Sequence, residues 1–413
     1  MSLIQRKDIV RILMISPQPF FEPRGTPISI YQRIRGLSEL GHEVDLATYP
    51  IGQDVIVPGV RIYRTSSLPF IKQVPIGPSW SKLLLDILLF FKVVRMLATK
   101  RYDVIHSHEE GAFFGLVLSP IFRTPHLYDM HSSLPKQLRN FKFGNRCLIV
   151  RAFEILEHWV LKTARVVLTI GGDLEEYVRQ KNASANLFRI ENMAVLDSPM
   201  HDREPVAELK DPPGLNNRLP IVYTGNFERY QGLDLLFQSA GLVLMKHPEA
   251  TFVIVGGQSE QIRHWQGEVK RLGLEDSVIF VGAVSPEEAS RYHRLAEILV
   301  SPRLDGLSIP LKIYSYLRSG KPIVATNIAA HTRILTDQTA VIVEPRPDAY
   351  AAGIMKLIES PELRQSIGRR ARRQAEEEFT MENYLAKLNS AYLAIGYAKP
   401  IRDQARHQRR AEK

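Results

Sequence analysis

The sequence predicts an α/β protein of two domains, each built like a Rossmann fold. With 413 residues the chain exceeds what a single hydrophobic core usually supports, so two domains are expected. In each half, apolar runs of strand length end in loops rich in glycine and polar residues, and amphipathic helices follow these loops. This alternation is typical of parallel sheets that are covered by helices.

The composition is that of an ordinary globular protein in a reducing compartment. Hydrophobic residues make up 45% of the chain and charged residues 24%, as in other soluble proteins. The single cysteine, Cys147, excludes an intramolecular disulfide framework and a cysteine-rich zinc site. Residues 1–8 are polar and precede a predicted strand, so we expect no secretory signal and a location in the cytoplasm.

The net charge of +10 favours an acidic partner. Much of the excess lies in residues 364–373 and 402–413, and no motif for nucleic-acid recognition accompanies it. Nucleic acid is therefore not an expected partner. Phosphorylated substrates and anionic lipid head groups account for the charge at least as well.

The most apolar stretch, residues 83–97, is too short and too charged to span a membrane, which takes roughly 20 apolar residues. A buried helix of the N-terminal domain is the commoner case, and we favour it. The alternative is a helix that lies on an anionic membrane surface, peripherally on the inner face of the plasma membrane. Aromatic residues would then lie at the interface and cations near the head groups: Trp80, Phe90, Phe91, Lys92, Lys100 and Arg101.

The N-terminal domain is predicted over residues 1–196 and opens with a βαβ unit. A strand at 9–16 is followed by a loop, a helix at 28–40 and a second strand at 44–49. The loop lacks the full G-x-G-x-x-G pattern of dinucleotide-binding proteins. Gly25 allows a close backbone approach, and Arg24 either meets a phosphate or is simply solvated.

Two later strands of this domain end in imidazoles and carboxylates. Because the carboxyl ends of parallel strands meet at one edge of a sheet, these side chains are expected together at the edge of a cleft. They are His106, His108, Glu109, Asp129 and His131. No compact metal signature such as H-E-x-x-H is present, so we expect no metal. A purely structural histidine at a strand end is the alternative for His131.

The C-terminal domain is predicted over residues 219–380, after a linker at 197–218 that contains several Pro, Asp and Asn residues without periodicity. It opens with a strand at 219–223, a loop containing Gly225 and Gly232, and a helix at 233–245. Such a loop offers backbone N–H groups to a diphosphate. The final helix is predicted at 381–398, and a basic tail follows at 399–413.

Residues 298–326 contain the most informative stretch of the chain. A strand at 298–300 runs into a turn-prone loop, which leads into a helix at 311–318 and a further strand at 322–326. The loop contains Gly306 and Ser308. This order places loop N–H groups and a helix start at the carboxyl edge of a sheet, where open α/β sheets bind anions and nucleotides.

This stretch resembles the donor site of the family 4 retaining glycosyltransferases, which have the GT-B fold: two Rossmann-like domains that face each other across a cleft. The sequence Gly-Lys-Pro-Ile-Val-Ala at 320–325 matches a strand of that family, and the resemblance extends over residues 11–394. It implies a metal-independent, retaining hexosyltransferase that needs no cofactor and uses a UDP- or GDP-sugar as its donor substrate. It also implies that the final helix, at 381–398, crosses back to the first domain.

Besides Arg24-Gly25, which stands where the family has two glycines, the chain departs from the family pattern at four positions. The usual pair of glutamates falls on Leu307 and Ser315, and Asp305 is the nearest acid to the first of them. The Arg and Lys that neutralise the leaving diphosphate are replaced by Asn226 and Gln231. Other cations are expected to take their place, and the first candidates are those that flank the predicted phosphate loop, ahead of Arg229: Arg303 and Lys312.

Each candidate residue is assigned a role, from the resemblance where the family pattern matches and from the residues themselves elsewhere. His131 matches the histidine that contacts the transferred sugar near its reacting carbon. The predicted catalytic set is His131, Arg303, Lys312 and Asp305. The predicted donor-binding residues are Gly25, Gly225, Asn226, Arg229, Gln231, Gly282, Val284, Gly306, Ser308 and Ser315. The predicted acceptor-side residues are Arg24, His106, His108, Glu109 and Asp129.

The predicted function is transfer of a hexose-type sugar to a glycan or lipid-linked acceptor with retention, in the synthesis of cell-envelope polysaccharide or glycolipid. Two alternatives remain open. One is a catalytically silent protein of the same fold that binds a nucleotide-sugar, which the altered Asn226, Gln231 and Ser315 favour. The other is a sugar-nucleotide epimerase, which would use the acids and histidines of the cleft.

Overall fold

The computed structural model describes residues 9–22, 25–71, 73–74, 79–140, 148–193, 215, 218–305 and 309–396. The chain divides into two compact units, Met1–Asn192 with Glu382–Lys413 and Met193–Met381. Each unit contains one parallel sheet, which confirms the predicted α/β class with two Rossmann-like domains. Most of the predicted linker, the basic tail, Arg24, Gly306 and Ser308 lie outside the described residues.

The sheet of unit 1 has seven strands in the order β3-β2-β1-β4-β5-β6-β7. The strands are β1 (Arg11–Ser16), β2 (Glu43–Thr48), β3 (Val60–Arg64), β4 (Val104–His108), β5 (His126–Met130), β6 (Val166–Thr169) and β7 (Leu187–Arg189). The helices are α1 (Gly25–Glu39), α2 (Trp80–Thr99), α3 (Gly111–Phe122), α4 (Leu134–Asn140), α5 (Leu148–Thr163) and α6 (Gly172–Lys181). Gly25, predicted in the preceding loop, is the first residue of α1.

The sheet of unit 2 has six strands in the order β10-β9-β8-β11-β12-β13. The strands are β8 (Leu219–Thr224), β9 (Ala250–Val255), β10 (Val278–Gly282), β11 (Ile298–Ser301), β12 (Ile323–Thr326) and β13 (Val341–Val343). The helices are α7 (Leu233–Leu244), α8 (Ser259–Arg271), α9 (Pro286–Leu295), α10 (Leu311–Ser319), α11 (Ala329–Thr332), α12 (Pro347–Glu359) and α13 (Pro361–Glu378). The last helix, α14 (Met381–Ile395), packs in unit 1.

Apolar side chains cover both faces of the second sheet. Along β8, Ile221 and Tyr223 belong to one hydrophobic core, and Val222 between them belongs to the other. The alternation follows from the two-residue period of a strand. A strand that is buried on both faces reads as a continuous apolar run, which is why β8 and β11 are recognisable in the sequence.

The strand order reverses at one point in each sheet. In unit 1, β1 lies between β2 and β4, and in unit 2, β8 lies between β9 and β11. Connections leave such neighbouring strands in opposite directions, so a crevice opens at their carboxyl ends, where open α/β sheets bind ligands. In unit 2 these ends are Thr224 and Ser301.

Helix α2 shares features of both interpretations of the apolar stretch. One face is buried through Leu85, Leu89 and Val93. Phe90 is half-buried and packs edge-on against Phe114 of α3, with 5.3 Å between ring centroids, so it does not share the exposed face. Five large apolar side chains of the other face are exposed: Trp80, Leu83, Leu84, Ile87 and Phe91. No described helix is long and apolar enough to cross a membrane.

The only acidic residue of α2, Asp86, is turned toward the sheet. Tyr49 donates a hydrogen bond from its hydroxyl to Asp86 Oδ1 at 2.6 Å. Burial, and then the negative charge of Glu110, raise the pKa of Asp86 to about 7 from its ordinary 3.8. The folded state therefore binds the proton more tightly than the unfolded state, and the stability that the protonated carboxyl contributes is lost as pH rises from about 4 to about 7.

We therefore expect Asp86→Asn to stabilise the protein increasingly as pH rises. The amide keeps an acceptor for Tyr49 and never ionises in the half-buried site. From pH 5 to pH 8 the difference in free energy of unfolding, variant minus wild type, should increase by about 1–2 kcal/mol, allowing for partial solvent screening. Urea unfolding of both proteins across this pH range measures the effect. A difference that stays constant with pH would contradict the assignment.

Candidate functional site

The carboxyl end of β8 leads into a glycine loop that packs closely on the segment after β11. Gly225 has a φ of 149°, and Gly232, with a left-handed φ of 75°, begins α7 after a short 3-10 turn at Arg229–Gln231. A Cβ atom on Gly232 would lie 2.0 Å from the carbonyl oxygen of Pro302. Only glycine allows this approach, so the two loops touch through their backbones.

Hydrogen bonds join these loops to helix α10. Leu304 donates its backbone N–H to the carbonyl oxygen of Tyr230 at 2.9 Å. The hydroxyl of Tyr316, on α10, accepts from the N–H of Thr224 at 2.9 Å. The loop after β8, the loop after β11 and α10 therefore hold one another in place at the carboxyl edge of the sheet.

Two cations lie on this framework. Lys312, in the first turn of α10, places Nζ 4.0 Å from the ring centroid of Tyr223 and donates to Gln231 Oε1 at 3.4 Å. The guanidinium carbon of Arg303 lies 5.0 Å from the ring centroid of Tyr230. Burial, and then the like charge of Arg303, hold the pKa of Lys312 well below its ordinary value. Burial also lowers the pKa of Arg303.

Within the described residues, neither Arg303 nor Lys312 forms an ion pair with a carboxylate. Desolvated cations that no carboxylate pairs are costly, and the charge of Asp305 only partly offsets the burial that lowers the pKa of Arg303. Helix α10 adds to the positive potential, because its start at Pro310 has no side-chain cap and its first N–H groups point out of the helix. The arrangement is therefore suited to an anion with several oxygen atoms, such as a diphosphate.

The structure brings some of the predicted donor-binding residues together and separates others. Gln231 is buried and accepts from Lys312, and a Cβ on Gly225 would lie 3.5 Å from Lys312 Nζ. The side chains of Asn226 and Arg229 are exposed. The backbone carbonyl of Asn226 accepts from the hydroxyl of Tyr223 at 2.7 Å, which holds the glycine loop against the aromatic ring below Lys312.

The remaining candidates of unit 2 take different positions. Asp305 is exposed, and its carbonyl oxygen accepts from Arg303 Nε at 2.6 Å. Ser315 is 4% exposed, on the buried side of α10. Gly282, at the end of β10, has a left-handed φ of 94° and accepts from the N–H of Gly256 at 2.7 Å. Val284 is half-buried against the core.

In unit 1 three of the predicted acceptor-side residues, His106, His108 and Asp129, form a buried cluster with His131. Strands β4 and β5 pair in a register that sets His108 beside Asp129. The Asp129 carboxylate lies 3.4 Å from His106 Nε2 through Oδ2 and 3.4 Å from His131 Nε2 through Oδ1. His108 Nδ1 and His131 Nε2 are 3.2 Å apart. His131 is the outermost member, with a 3% exposed side chain, whereas the others are fully buried.

A fully buried arginine neutralises this cluster. Arg33, on α1, donates from Nε to Asp129 Oδ2 at 2.7 Å, from Nη1 to the hydroxyl of Tyr384 at 2.9 Å and from Nη2 to the carbonyl oxygen of Ile190 at 3.0 Å. Although burial alone would raise it, Arg33 and then His131 hold the pKa of Asp129 well below its usual range. Asp129 is thus a buried carboxylate in its ionised form.

The same cluster contains side chains of the types that bind metal ions. One ligand atom from each of His106, His108 and Asp129 lies within 4.8 Å of the others. Arg33, however, already compensates the charge of the carboxylate, so a divalent cation would add uncompensated charge to a buried site. The residues fit a hydrogen-bond network better than a metal centre, and the expectation of no metal stays a prediction.

Glu109 lies at the outer edge of the cluster. It is half-buried, and its φ of 48° is in the left-handed region that residues other than glycine rarely adopt. Ser132 donates from Oγ to Glu109 Oε2 at 2.8 Å. Burial raises the pKa of Glu109 to about 7. A carboxyl group of this kind at a strand end can accept from or donate to a ligand hydroxyl near neutral pH.

Sequence reasoning missed the aromatic and cationic residues that hold both sites. For Arg33 a signal existed, since it lies on the buried face of α1 with Ile30 and Ile34. No local signal joins Arg33 to Tyr384, because 351 residues separate them. The other residues that were missed are Tyr223, Tyr230, Tyr316 and Tyr392.

Comparisons with known proteins cover both units. Residues 206–374 match the family described as "Glycosyl transferases group 1", and residues 24–192 match the family described as "Glycosyl transferase 4-like domain". A phosphatidyl-myo-inositol mannosyltransferase of Mycolicibacterium smegmatis is 24% identical over 88% of this chain and 88% of its own length. Sulfoquinovosyl transferase SQD2 of Arabidopsis thaliana is 22% identical over 88% of this chain and 70% of its own length.

Solved structures share the fold over nearly the whole chain. Sucrose-phosphate synthase from Thermosynechococcus elongatus superimposes with a TM-score of 0.71 at 21% identity, over 94% of this chain and 99% of that structure. Anabaena Alr3699/HepE in complex with UDP-glucose superimposes with a TM-score of 0.68 at 16% identity, over 93% of this chain and 100% of that structure.

Proposed function

Because this chain belongs to the family 4 glycosyltransferases of the GT-B fold, we propose that it transfers a hexose-type sugar from a UDP- or GDP-sugar, with retention of configuration, to a glycan or lipid-linked acceptor. The observation that carries the donor assignment is the pair of Arg303 and Lys312, which lack a carboxylate partner within the described residues and lie beside the glycine loop of β8. The proposed role of both cations is to hold the diphosphate.

The chemistry follows from where negative charge develops. When the sugar leaves, a nucleoside diphosphate carries the additional charge, and fixed cations at low dielectric stabilise it without reorganisation. Lys312, Arg303 and the first N–H groups of α10 supply this stabilisation in place of the family's Arg and Lys, whose positions hold Asn226 and Gln231. Because these groups supply the positive charge, the proposed reaction needs no metal. His131 orients the sugar.

Uridine is the first base to test in the donor. Anabaena Alr3699/HepE, which has the same fold, was solved with UDP and with UDP-glucose. The base would lie near Gly282 and Val284, after β10, where Gly282 has a left-handed φ of 94°.

The donor assignment is tested by mixing the protein with a panel of UDP- and GDP-sugars and measuring release of nucleoside diphosphate. We expect release from one donor in the presence of a lipid-linked or glycan acceptor, unchanged by EDTA, and a product whose anomeric configuration by NMR matches that of the donor. Binding without release would indicate the silent binder, and an epimeric donor formed without acceptor would indicate the epimerase. EDTA inhibition that divalent cations reverse would contradict metal independence.

For the acceptor, we propose a lipid-linked molecule at an anionic membrane surface on the cytoplasmic side. The names of two relatives refer to transfer to phosphatidyl-myo-inositol and to transfer of sulfoquinovose. The exposed apolar face of α2 is the proposed contact with the membrane, because its acid, Asp86, is hydrogen-bonded to Tyr49 instead of facing out. Arg95 and Arg101 add exposed positive charge at the end of α2.

We expect Trp80→Ser with Phe91→Ser to abolish flotation with vesicles of phosphatidylglycerol and phosphatidylcholine at low salt. Both side chains are mostly exposed, at 83% and 65%, so their loss should leave folding intact while membrane affinity falls by about tenfold or more. Met245→Ser, which removes an exposed apolar side chain from unit 2, is the matched control and should float like the wild type. A wild-type protein that stays in the soluble fraction would remove the proposal.

A further inference from the structure

We propose that the buried Arg33–Asp129 pair is a positioning device that fixes the tautomer of His131, and that Tyr392 of α14 helps to hold it. This inference rests on the proposed role of His131 in sugar transfer. It assigns to His131 one defined hydrogen-bonding state, with the proton on Nε2 and with Nδ1 as an acceptor for a sugar hydroxyl.

The first step of the argument is the geometry around His131 Nε2. This nitrogen faces Asp129 Oδ1 at 3.4 Å and His108 Nδ1 at 3.2 Å. A lone pair on Nε2 would point at an ionised carboxylate, whereas an N–H there is attracted to it. In neutral His131 the proton therefore belongs on Nε2 as long as Asp129 is ionised, and His108 Nδ1, at 3.2 Å, is then an acceptor. His131 Nδ1 is then unprotonated and accepts hydrogen bonds.

The second step is the charge on Asp129. The carboxylate is fully buried and stays ionised only because a cation lies against it. Arg33 fills this role with a fixed orientation, because its three nitrogen atoms are each engaged, by Asp129, Tyr384 and Ile190. Lysine has one nitrogen and could not make this set of contacts.

The third step is the link to α14. The hydroxyl of Tyr392 lies 2.8 Å from His106 Nδ1, and His106 Nε2 lies 3.4 Å from Asp129 Oδ2. A donated hydrogen bond from Tyr392 leaves His106 with its own proton on Nε2, directed at the carboxylate. Both histidines that flank Asp129 on its two oxygen atoms then present N–H groups to it.

The fourth step concerns the other charged and titratable groups around His131. From β4 these are His106 and His108, which burial keeps neutral because it lowers their pKa values, and Glu109 at the strand end. From α1 there is Arg33, and from α14 there are Tyr384 and Tyr392. In the interior of the cluster, Arg33 and Asp129 therefore form the fixed ion pair, and this pair is the element that selects the tautomer of neutral His131.

The test is Asp129→Asn, studied by nitrogen-15 NMR of His131 and by sugar-transfer kinetics. The amide can turn its NH₂ group toward His131 Nε2, so the proton should move to Nδ1 and kcat should fall by about 100-fold or more, since a wrong tautomer cannot accept from the substrate. Nucleoside diphosphate affinity, which depends on unit 2, should stay within about twofold.

Asp45→Asn is the matched control, because Asp45 is another buried carboxyl of unit 1 that is bonded to Lys100 and Tyr102 on a different part of the sheet. It should change neither the His131 tautomer nor kcat by more than about twofold. A loss of kcat in Asp129→Asn that is no greater than in Asp45→Asn, or an unchanged His131 tautomer, would overturn the proposal.

A second variant decides the matter if Asp129→Asn does not fold. Tyr392→Phe keeps the Arg33–Asp129 pair and removes a single hydroxyl, and we expect a measurable population of the second His131 tautomer with a fall in kcat of about three- to tenfold. A single tautomer with unchanged kcat would overturn the role of Tyr392 and of the network. If the wild type transfers no sugar, the proposed function fails, and the NMR measurement still tests the tautomer without turnover.

Discussion

Replacing Arg303 and Lys312 together by alanine is expected to lower kcat/KM for the donor sugar by about 10³- to 10⁴-fold. Each cation stabilises charge that develops on the departing diphosphate, and loss of one such group typically costs about 10²- to 10³-fold in kcat. The two effects should add less than fully, because Arg303 and Lys312 interact with each other. Release of nucleoside diphosphate at several donor concentrations measures the change.

Two single variants separate the loss of a specific cation from a general change in net charge. Lys312→Ala should reduce kcat and the affinity for nucleoside diphosphate together, since Nζ is held by Gln231 and Tyr223 at the start of α10. Lys270→Ala removes an exposed cation from α8 of the same unit and serves as a control for net charge, with less than a twofold effect expected. A double variant that keeps wild-type kcat/KM would show that the diphosphate is held elsewhere.

The fold was predictable because its signals are local. The strand predicted at 219–223 is β8 (Leu219–Thr224), and the helix predicted at 233–245 is α7 (Leu233–Leu244). Strand β8 is buried on both faces and is followed by Gly225, and α7 begins directly after Gly232, so composition and turn chemistry agree. The last strand of unit 1, β7 (Leu187–Arg189), has a weaker local signal, because only three of its residues pair with β6.

The sequence predicts the two cations of the candidate site, but it does not predict the residues that hold these cations in position. Arg303 and Lys312 stand beside a recognisable loop, so the sequence places them near a phosphate. That Gln231 accepts from Lys312 depends on packing across 81 residues, and no short-range pattern encodes it. The left-handed φ of Glu109 likewise follows from the tight connection between β4 and α3. A glutamate at this position does not predict such a φ.

Gly232→Ala is expected to lower the free energy of unfolding by at least about 3 kcal/mol. Left-handed backbone costs a residue with a Cβ about 1–2 kcal/mol, and the added methyl group would lie 2.0 Å from the carbonyl oxygen of Pro302. Relief requires the loop after β11 to move, and Arg303 directly follows Pro302. Affinity for nucleoside diphosphate should therefore fall together with stability.

Gly241→Ala, on the same helix, is the control that isolates this effect. A Cβ there would have no atom within 4 Å, and the residue lies inside α7, where alanine is favoured over glycine by about 0.5–1 kcal/mol. Urea unfolding should show the two substitutions moving stability in opposite directions. Stabilisation of unit 2 by both substitutions would contradict the prediction. It would mean that the loop after β11 can accommodate a Cβ at position 232, and that the backbone of the glycine loop does not hold Arg303 in place.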